Sequence, residues 1–235
     1  MQIDVVVLTK NSEKTLERCL DSILGNVPLN RLIAIDGGSS DKTVKILEKF
    51  NAEIHMDQGN RATARQKGIG LVETEWFAFV DSDVILCENW YNKVSKFIGL
   101  EVGAISGIEH LPFVKSWHRL YNNASFLLTF KRGVALTQNG LIRLKAVKNI
   151  EIPKDLHWFE DDYILKHIRR MGWKYIVTPQ AYGIHLRSEK HWSISEILKD
   201  CKNSRFWLHT DVWLAELFHG IICIRNLGGN ILWLK

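Results

Sequence analysis

The first eighty residues alternate two hydrophobic periodicities. Ile3 to Leu8 is a nearly continuous apolar run rich in β-branched residues, the pattern of a strand buried on both faces. Leu16, Cys19, Leu20, Ile23 and Leu24 then recur at helical spacing, after the capping candidates Asn11 and Ser12. Leu32 to Ile35 predicts a second strand, and Val44, Leu47 and Phe50 mark one face of a second helix. Glu53 to Met56 reads as a third strand and Ala62 to Val72 as a third helix. Trp76 to Val80 predicts a fourth strand that ends directly on Asp81. Strands alternating with helices of this length argue for βαβ units and an α/β fold, its sheet mostly parallel and flanked by helices.

Beyond Asp83 the pattern loosens. Glu88 to Ile98 reads as a helix with Tyr91, Val94, Phe97 and Ile98 on its apolar face, and Gly103 to Ile108 as a strand. Glu109 to Arg132 is aromatic and irregular, and Gly133 to Arg143 predicts a short strand and turn. Glu160-Asp161-Asp162 opens a helix through Met171, Gly172 is placed to end it, and Trp173 to Val177 returns as a strand. From Phe206 to Leu234 the chain is rich in Trp, Leu, Ile and Phe, but His209, Asp211, Glu216, His219 and Arg225 interrupt it. Trp207, Leu214, Leu217, Phe218 and Ile221 form a possible helical stripe, which predicts a C-terminal amphipathic extension over 191–235 after a main domain over 1–190. That stripe could pack on the domain, lie on a membrane surface or form a homodimer interface.

Composition narrows the classes. Hydrophobic residues at 46% and charged residues at 24% suit a folded globular chain and exclude a disordered one. The net charge of +5 is spread along the chain, with no basic helix interleaved with aromatics, so nucleic acid is not an expected partner. Cys19, Cys87, Cys201 and Cys223 lack metal-ligand spacing and are expected as free thiols. The chain opens on a strand-like run and has no stretch of about 18 uninterrupted apolar residues. The expectation is a cytoplasmic protein, with peripheral contact at the inner face of the membrane as the one alternative.

Ligands of parallel α/β sheets sit outside the carboxyl ends of the strands. Here those ends carry Thr9-Lys10-Asn11, Asp36 and Asp81-Ser82-Asp83. An Asp-x-Asp pair at a strand end can bring both carboxylates near one hard divalent cation, and Mg²⁺ commonly bridges carboxylates to a diphosphate. A lone Asp-x-Asp is more often a pair of turn aspartates; its position after an apolar strand, among the other strand-end polar groups, favours the cation.

The ordered set of motifs resembles the inverting glycosyltransferases of family 2, with the GT-A fold. It runs from Thr9-Lys10-Asn11 through Ile35-Asp36-Gly37-Gly38-Ser39-Ser40-Asp41-Lys42-Thr43 and Gly59-Asn60-Arg61-Ala62-Thr63-Ala64-Arg65-Gln66-Lys67-Gly68-Ile69. It continues with Val80-Asp81-Ser82-Asp83 and with Phe159-Glu160-Asp161 followed by Gly172. Gly37 stands where the family often has a second acid, and Gln66 where it often has Asn. The resemblance implies transfer of a sugar from a UDP- or GDP-linked donor to a hydroxyl or phosphate acceptor, carbohydrate or lipid-linked, with Mg²⁺ or Mn²⁺ as cofactor. It implies that Thr9 and Asn11 lie along the nucleoside, that Asp36 meets the base or ribose, and that Arg61 or Arg65 and Arg187 reach the donor phosphates. Asp81 would face the donor and, with Asp83 and His185, hold the metal. Asp161 would be the catalytic base, with Glu160 or Asp162 positioning it or the acceptor. For the Glu160 cluster the alternative is ordinary first-turn acids favoured by the helix dipole, and for His185 a structural histidine.

Two other functions compete. A nucleotidyltransferase has a similar fold and paired acids, but its Gly-rich basic loop after the first strand is not matched by Thr9-Lys10-Asn11-Ser12. A non-catalytic sugar-nucleotide binder or membrane-recruited scaffold would have no use for a base at Glu160-Asp161.

Overall fold

The structure is a computed structural model, and it describes residues 1–110, 112, 137–156 and 160–186. The expected extension over 191–235 and Arg187 lie outside the described residues.

The four expected strands and three expected helices of the first half are all present. They are β1 (Ile3–Thr9), α1 (Leu16–Asn26), β2 (Leu29–Asp36), α2 (Thr43–Lys49), β3 (Glu53–Met56), α3 (Arg61–Leu71) and β4 (Trp76–Asp81). The rest comprises β5 (Val84–Leu86), α4 (Trp90–Val94) with a 3₁₀ turn over Ser95–Phe97, β6 (Val102–His110), β7 (Asn139–Arg143), α5 (Leu144–Val147), α6 (Glu160–Arg170) and β8 (Lys174–His185). Gly172 ends α6 in the left-handed region at φ +82°.

These strands form one sheet in the order β3-β2-β1-β4-β7-β6-β8-β5. Neighbours from β3 to β4 are parallel, β7 runs antiparallel to both β4 and β6, β8 is parallel to β6, and β5 closes the edge antiparallel to β8. The parallel half answers the βαβ pattern, and the mixed half accounts for the loss of that pattern after Asp83.

Period-two alternation divides the core between the two faces of the sheet. Val5, Val7, Trp76 and Ala78 pack with Leu16, Cys19, Leu20 and Ile23 of α1. Val6, Phe77 and Phe79 turn the other way, onto Ala62 and Ile69 of α3 and Ile164 and Ile168 of α6. Each face is covered by helices, so every residue from Ile3 to Val7 is fully buried, including Asp4. Asp4 is tolerated because Arg31 Nη2 (2.8 Å), Asn30 Nδ2 (2.8 Å) and the Glu73 amide (2.9 Å) donate to it.

Some local expectations are corrected. Asn11 and Ser12 do not cap α1 through their side chains; Thr15 holds the cap position, and the Ser12 carbonyl accepts from Thr15 and Leu16. The helix expected over Glu88 to Ile98 is only α4 and its 3₁₀ turn. The strand expected over Trp173 to Val177 continues to His185, past Pro179.

Candidate active site

Register places the strand-end residues side by side. Thr9 pairs with Asp36 across β1 and β2, and Leu8 pairs with Asp81 across β1 and β4. The loops beyond them are stapled together. Ser12 and Ser82 share a hydrogen bond of 2.8 Å, and the Ser12 amide donates to Thr43 Oγ1 at 2.7 Å. The Asn11 amide donates to Ser39 Oγ, and Asn11 Oδ1 accepts from the Ser40 amide. The Cys19 thiol of α1 donates to the Asp81 carbonyl at 3.3 Å. Burial, with Asp83 and Asp81 nearby, pushes that thiol's pKa far up.

Thr9 and Asp36 lie beneath this loop layer. Asp36 is fully buried, and it accepts from Thr9 Oγ1, Ser39 Oγ and the amides of Gly38 and Ser39. Its oxygens therefore shape the β2–α2 loop from below, while Asn11 and Ser40 are on the exposed side. At Gly37, a Cβ would come within 3.1–3.4 Å of Lys10 and the Thr9 carbonyl. Gln66 accepts from the Ile152 amide at 2.9 Å, tying α3 to the segment after α5.

Arg61 begins α3, on a helix start capped reciprocally by Asn60 and Thr63. Arg61 is exposed, and its charge helps to hold down the Asp81 pKa. Arg65, one turn further on, is not a solvated helix residue. It is 2% exposed, lies 4.5 Å from the Phe79 ring centroid, and donates from Nη2 to Asp81 Oδ1 at 2.6 Å. Its Nε is 3.9 Å from Glu160 Oε1, while Nε and Nη1 make no hydrogen bond. Burial opposes charge on Arg65, but Asp81 and Glu160 outweigh it and raise its pKa. Burial likewise pushes the Asp81 carboxyl up, and Arg65, Arg61 and His185 more than offset this, holding it below the usual carboxylate range.

The acids of α6 form the other wall. Glu160, Asp161 and Asp162 occupy its first turn, and Asp161 Oδ1 accepts from the Asp162 amide. Burial and then the charges of Glu160 and Asp162 push the Asp161 pKa well up, with Arg65 pulling the other way and Asp81 adding to the rise. A carboxyl so placed is suited to taking a proton near neutral pH.

Asp83 meets His185 through the pairing of β5 with β8. Val84 lies opposite His185, the Leu186 amide donates to the Asp83 carbonyl, and His185 Nε2 is 3.0 Å from Asp83 Oδ2. Burial favours the neutral ring, but Glu109 and Asp83 outweigh it and raise the His185 pKa to about 10. Glu109 was not among the residues expected from sequence; it lies 3.4 Å from His185 Nδ1. The expected trio for a metal is therefore brought together only in part. Among the described residues no three His, Cys, Asp or Glu side chains are grouped to hold an ion, and Asp81 Oδ1 accepts from Arg65. Asp83 and His185 would offer one carboxylate oxygen and one imidazole nitrogen, chemistry compatible with a divalent ion such as Mn²⁺.

The sequence pattern of glycosyl transferase family 2 matches residues 4–143, from β1 through β7. The chain belongs to this family. Among curated relatives, a poly(ribitol-phosphate) beta-glucosyltransferase of Bacillus spizizenii is 24% identical over 217 residues, which cover 84% of this chain and 34% of the relative. The chain spans about a third of the length of the curated relatives it matches. Among solved structures, the mannosyltransferase PcManGT from Pyrobaculum calidifontis, in complex with GDP-Man and Mn²⁺, superposes with a TM-score of 0.68 at 14% identity, covering 98% of this chain and 76% of that one. S. aureus TarS 1-349 in complex with UDP-GlcNAc gives 0.66 at 18% identity, covering 97% and 74%. The family 2 chain thus has the GT-A fold, a mixed α/β sheet flanked by helices. Among the described residues no helix is long and apolar enough to cross a membrane.

Proposed function

We propose that this chain catalyses inverting transfer of a sugar from a nucleoside diphosphate sugar, UDP- or GDP-linked, to a hydroxyl or phosphate acceptor. The observation that carries the reading is Arg65. It touches Asp81 at the strand ends and approaches Glu160 at the helix start, so the two groups of acids belong to one site. The donor lies over the β1–α1 and β2–α2 loops, where Asn11 and Ser40 face it and Arg61 attracts its phosphates. Thr9 and Asp36 act beneath, as the support of that loop layer.

Asp83 and His185 are the residues that hold Mn²⁺ or Mg²⁺, which when bound offsets charge on the departing diphosphate. Asp161 takes the acceptor proton, and its raised pKa matches that task. Glu160, 4% exposed beside Arg65, positions it. Solved relatives bound to GDP-Man with Mn²⁺ and to UDP-GlcNAc support a nucleotide-sugar donor.

The test is a panel of UDP- and GDP-sugars, scored for Mn²⁺-dependent thermal stabilisation and then for released product. Release of nucleoside diphosphate together with a glycosylated acceptor supports the reading. Release of pyrophosphate would mean nucleotidyl transfer, and stabilisation without turnover of any acceptor would mean a binder.

A further inference from the structure

Glu109 is a buried carboxylate that the roles described so far leave unused. It is 4% exposed near the end of β6, and its two oxygens face different partners. Oε2 accepts from Gln138 Nε2 at 2.8 Å, and Oε1 lies 3.4 Å from His185 Nδ1, a buried nitrogen that makes no hydrogen bond in this structure. The backbone sets this meeting. Glu109 is in register with Gly183 of β8, and His185, two residues on, projects to the same side of that strand as position 183 would. Gly183 lets Val84 and Asn139 pack closely beside it; a Cβ there would lie 2.6 Å from Val84 Cγ1 and 3.1 Å from Asn139 Nδ2. Gln138 links the arrangement to the other acids, because its carbonyl accepts from the Asp81 amide at 3.3 Å.

The imidazole thus has each ring nitrogen beside a different carboxylate, Nε2 at Asp83 and Nδ1 at Glu109. The two environments are not equivalent. Asp83 has a side chain 35% exposed at the accessible corner, whereas Glu109 has one 6% exposed behind the ring. A histidine that binds a cation does so through an unprotonated nitrogen, and the hydrogen bond made by the other nitrogen decides which one that is.

We propose that Glu109 is a positioning residue for the cation corner: its carboxylate, 3.4 Å behind the ring, is placed to accept from Nδ1–H of His185 when an ion is bound, so that Nε2 gives up its proton and joins Asp83 on that ion. This rests on the reading of Asp83 and His185 given under the proposed function. Glu109 itself touches neither ion nor sugar nucleotide. Gln138 holds its other oxygen, so the carboxylate cannot swing away from the ring without losing that bond.

The experiment has two arms, with Mn²⁺ or Mg²⁺ and UDP as probes on the full chain. In the first, Mn²⁺ is titrated by calorimetry in the presence of UDP into the wild type, Glu109→Gln, His185→Ala and the double variant, with melting curves to verify folding. Glu109→Gln is expected to weaken Mn²⁺ by about 10–100-fold, and to weaken it no further once His185 is absent. In the second arm, the wild type labelled with ¹⁵N-histidine is loaded with diamagnetic Mg²⁺ and UDP, and NMR reads which ring nitrogen of His185 carries the proton. Protonated Nδ1 is expected. Wild-type Mn²⁺ affinity in Glu109→Gln, an equal loss with and without His185, or a protonated Nε2 would each overturn the inference while leaving the donor reading intact. A wild type that binds neither ion with UDP or with GDP would overturn the donor reading, and this inference with it. The NMR arm uses no substitution, so an unfolded variant does not remove the test.

Discussion

Arg65 Nη2 and Asp81 Oδ1 are 2.6 Å apart, in a site where the arginine is almost wholly buried and the aspartate side chain is 29% exposed. The pair joins a helix on one face of the sheet to the end of a central strand. Its energetic meaning follows from burial: removing one member leaves the other charge without its partner in a medium that solvates it poorly.

Replacing Arg65 with Met should therefore destabilise the protein by about 3–5 kcal/mol, the range for breaking a buried pair from one side. Urea unfolding measures this. Arg65→Lys keeps the charge but loses the planar fork, and it should recover only part of the loss. Because the charge of Arg65 also lowers the Asp161 pKa, the acid limb of turnover should move to higher pH in Arg65→Met, whereas Arg65→Lys, which keeps the charge, should leave it nearly in place. An unmoved limb in Arg65→Met would separate Arg65 from the base.

Asp161 sets a second expectation, in which activity and stability move oppositely. Its folded-state pKa lies above the unfolded value of about 3.9, so ionising it near neutral pH costs stability. That cost is absent below the unfolded value and grows as pH rises towards and through the folded one. Asp161→Asn should stop sugar transfer, retain donor binding, and raise the melting temperature at pH 7, with the gain fading below about pH 4. Loss of donor binding together with transfer would point to a structural role.

Asp83→Ala should abolish Mn²⁺-dependent donor turnover with circular dichroism unchanged, since Asp83 stands in a turn beyond the buried strand. Undiminished turnover in that variant would remove Asp83 from the cation corner.

Asp4 gives a control at the opposite edge of the sheet. Burial pushes its carboxyl up, but hydrogen bonds from Arg31, Glu73 and Asn30 outweigh this and lower its pKa. The stabilisation is present above the unfolded value of about 3.9 and is lost as pH falls through the lower folded one. Asp4→Ala should cost about 1–3 kcal/mol at pH 7 in denaturant unfolding, the range for stranding hydrogen-bond donors at a buried site, because Arg31 keeps Glu53 and Glu73, with affinity for UDP and Mn²⁺ retained in the protein that remains folded.

The parallel half of the fold was legible because its strands are short apolar runs and its helices carry clear stripes. Thr9, Asp36 and Asp81 could be placed on one edge for the same reason. What sequence could not show was which way side chains turn. Arg65 and Asp36 occupy the motif positions expected to meet a ligand, yet both are enclosed by the protein's own partners. Glu109 escaped notice because the strand expected over Gly103 to Ile108 stops one residue short of it and Glu109 opens the stretch read as irregular, whereas β6 runs on to His110. Pro179 hid the second half of β8 in a similar way. A proline normally ends a central strand, but β6 and β8 shift register between Ser106 and Ile108 and resume pairing at Tyr182. That resumption is what delivers His185 to Asp83.

The thiol bond from Cys19 to the Asp81 carbonyl gives the protein a built-in reporter. A fully buried thiol with a strongly raised pKa has almost no thiolate, so alkylating reagents reach it only when α1 parts from β4. The rate at which iodoacetamide modifies Cys19, followed by peptide mass spectrometry to separate it from Cys87, Cys201 and Cys223, therefore clocks the breathing of the donor side. Saturating UDP and Mn²⁺ should slow that clock without any label being introduced, and an unchanged rate would mean that α1 and the donor loops move independently.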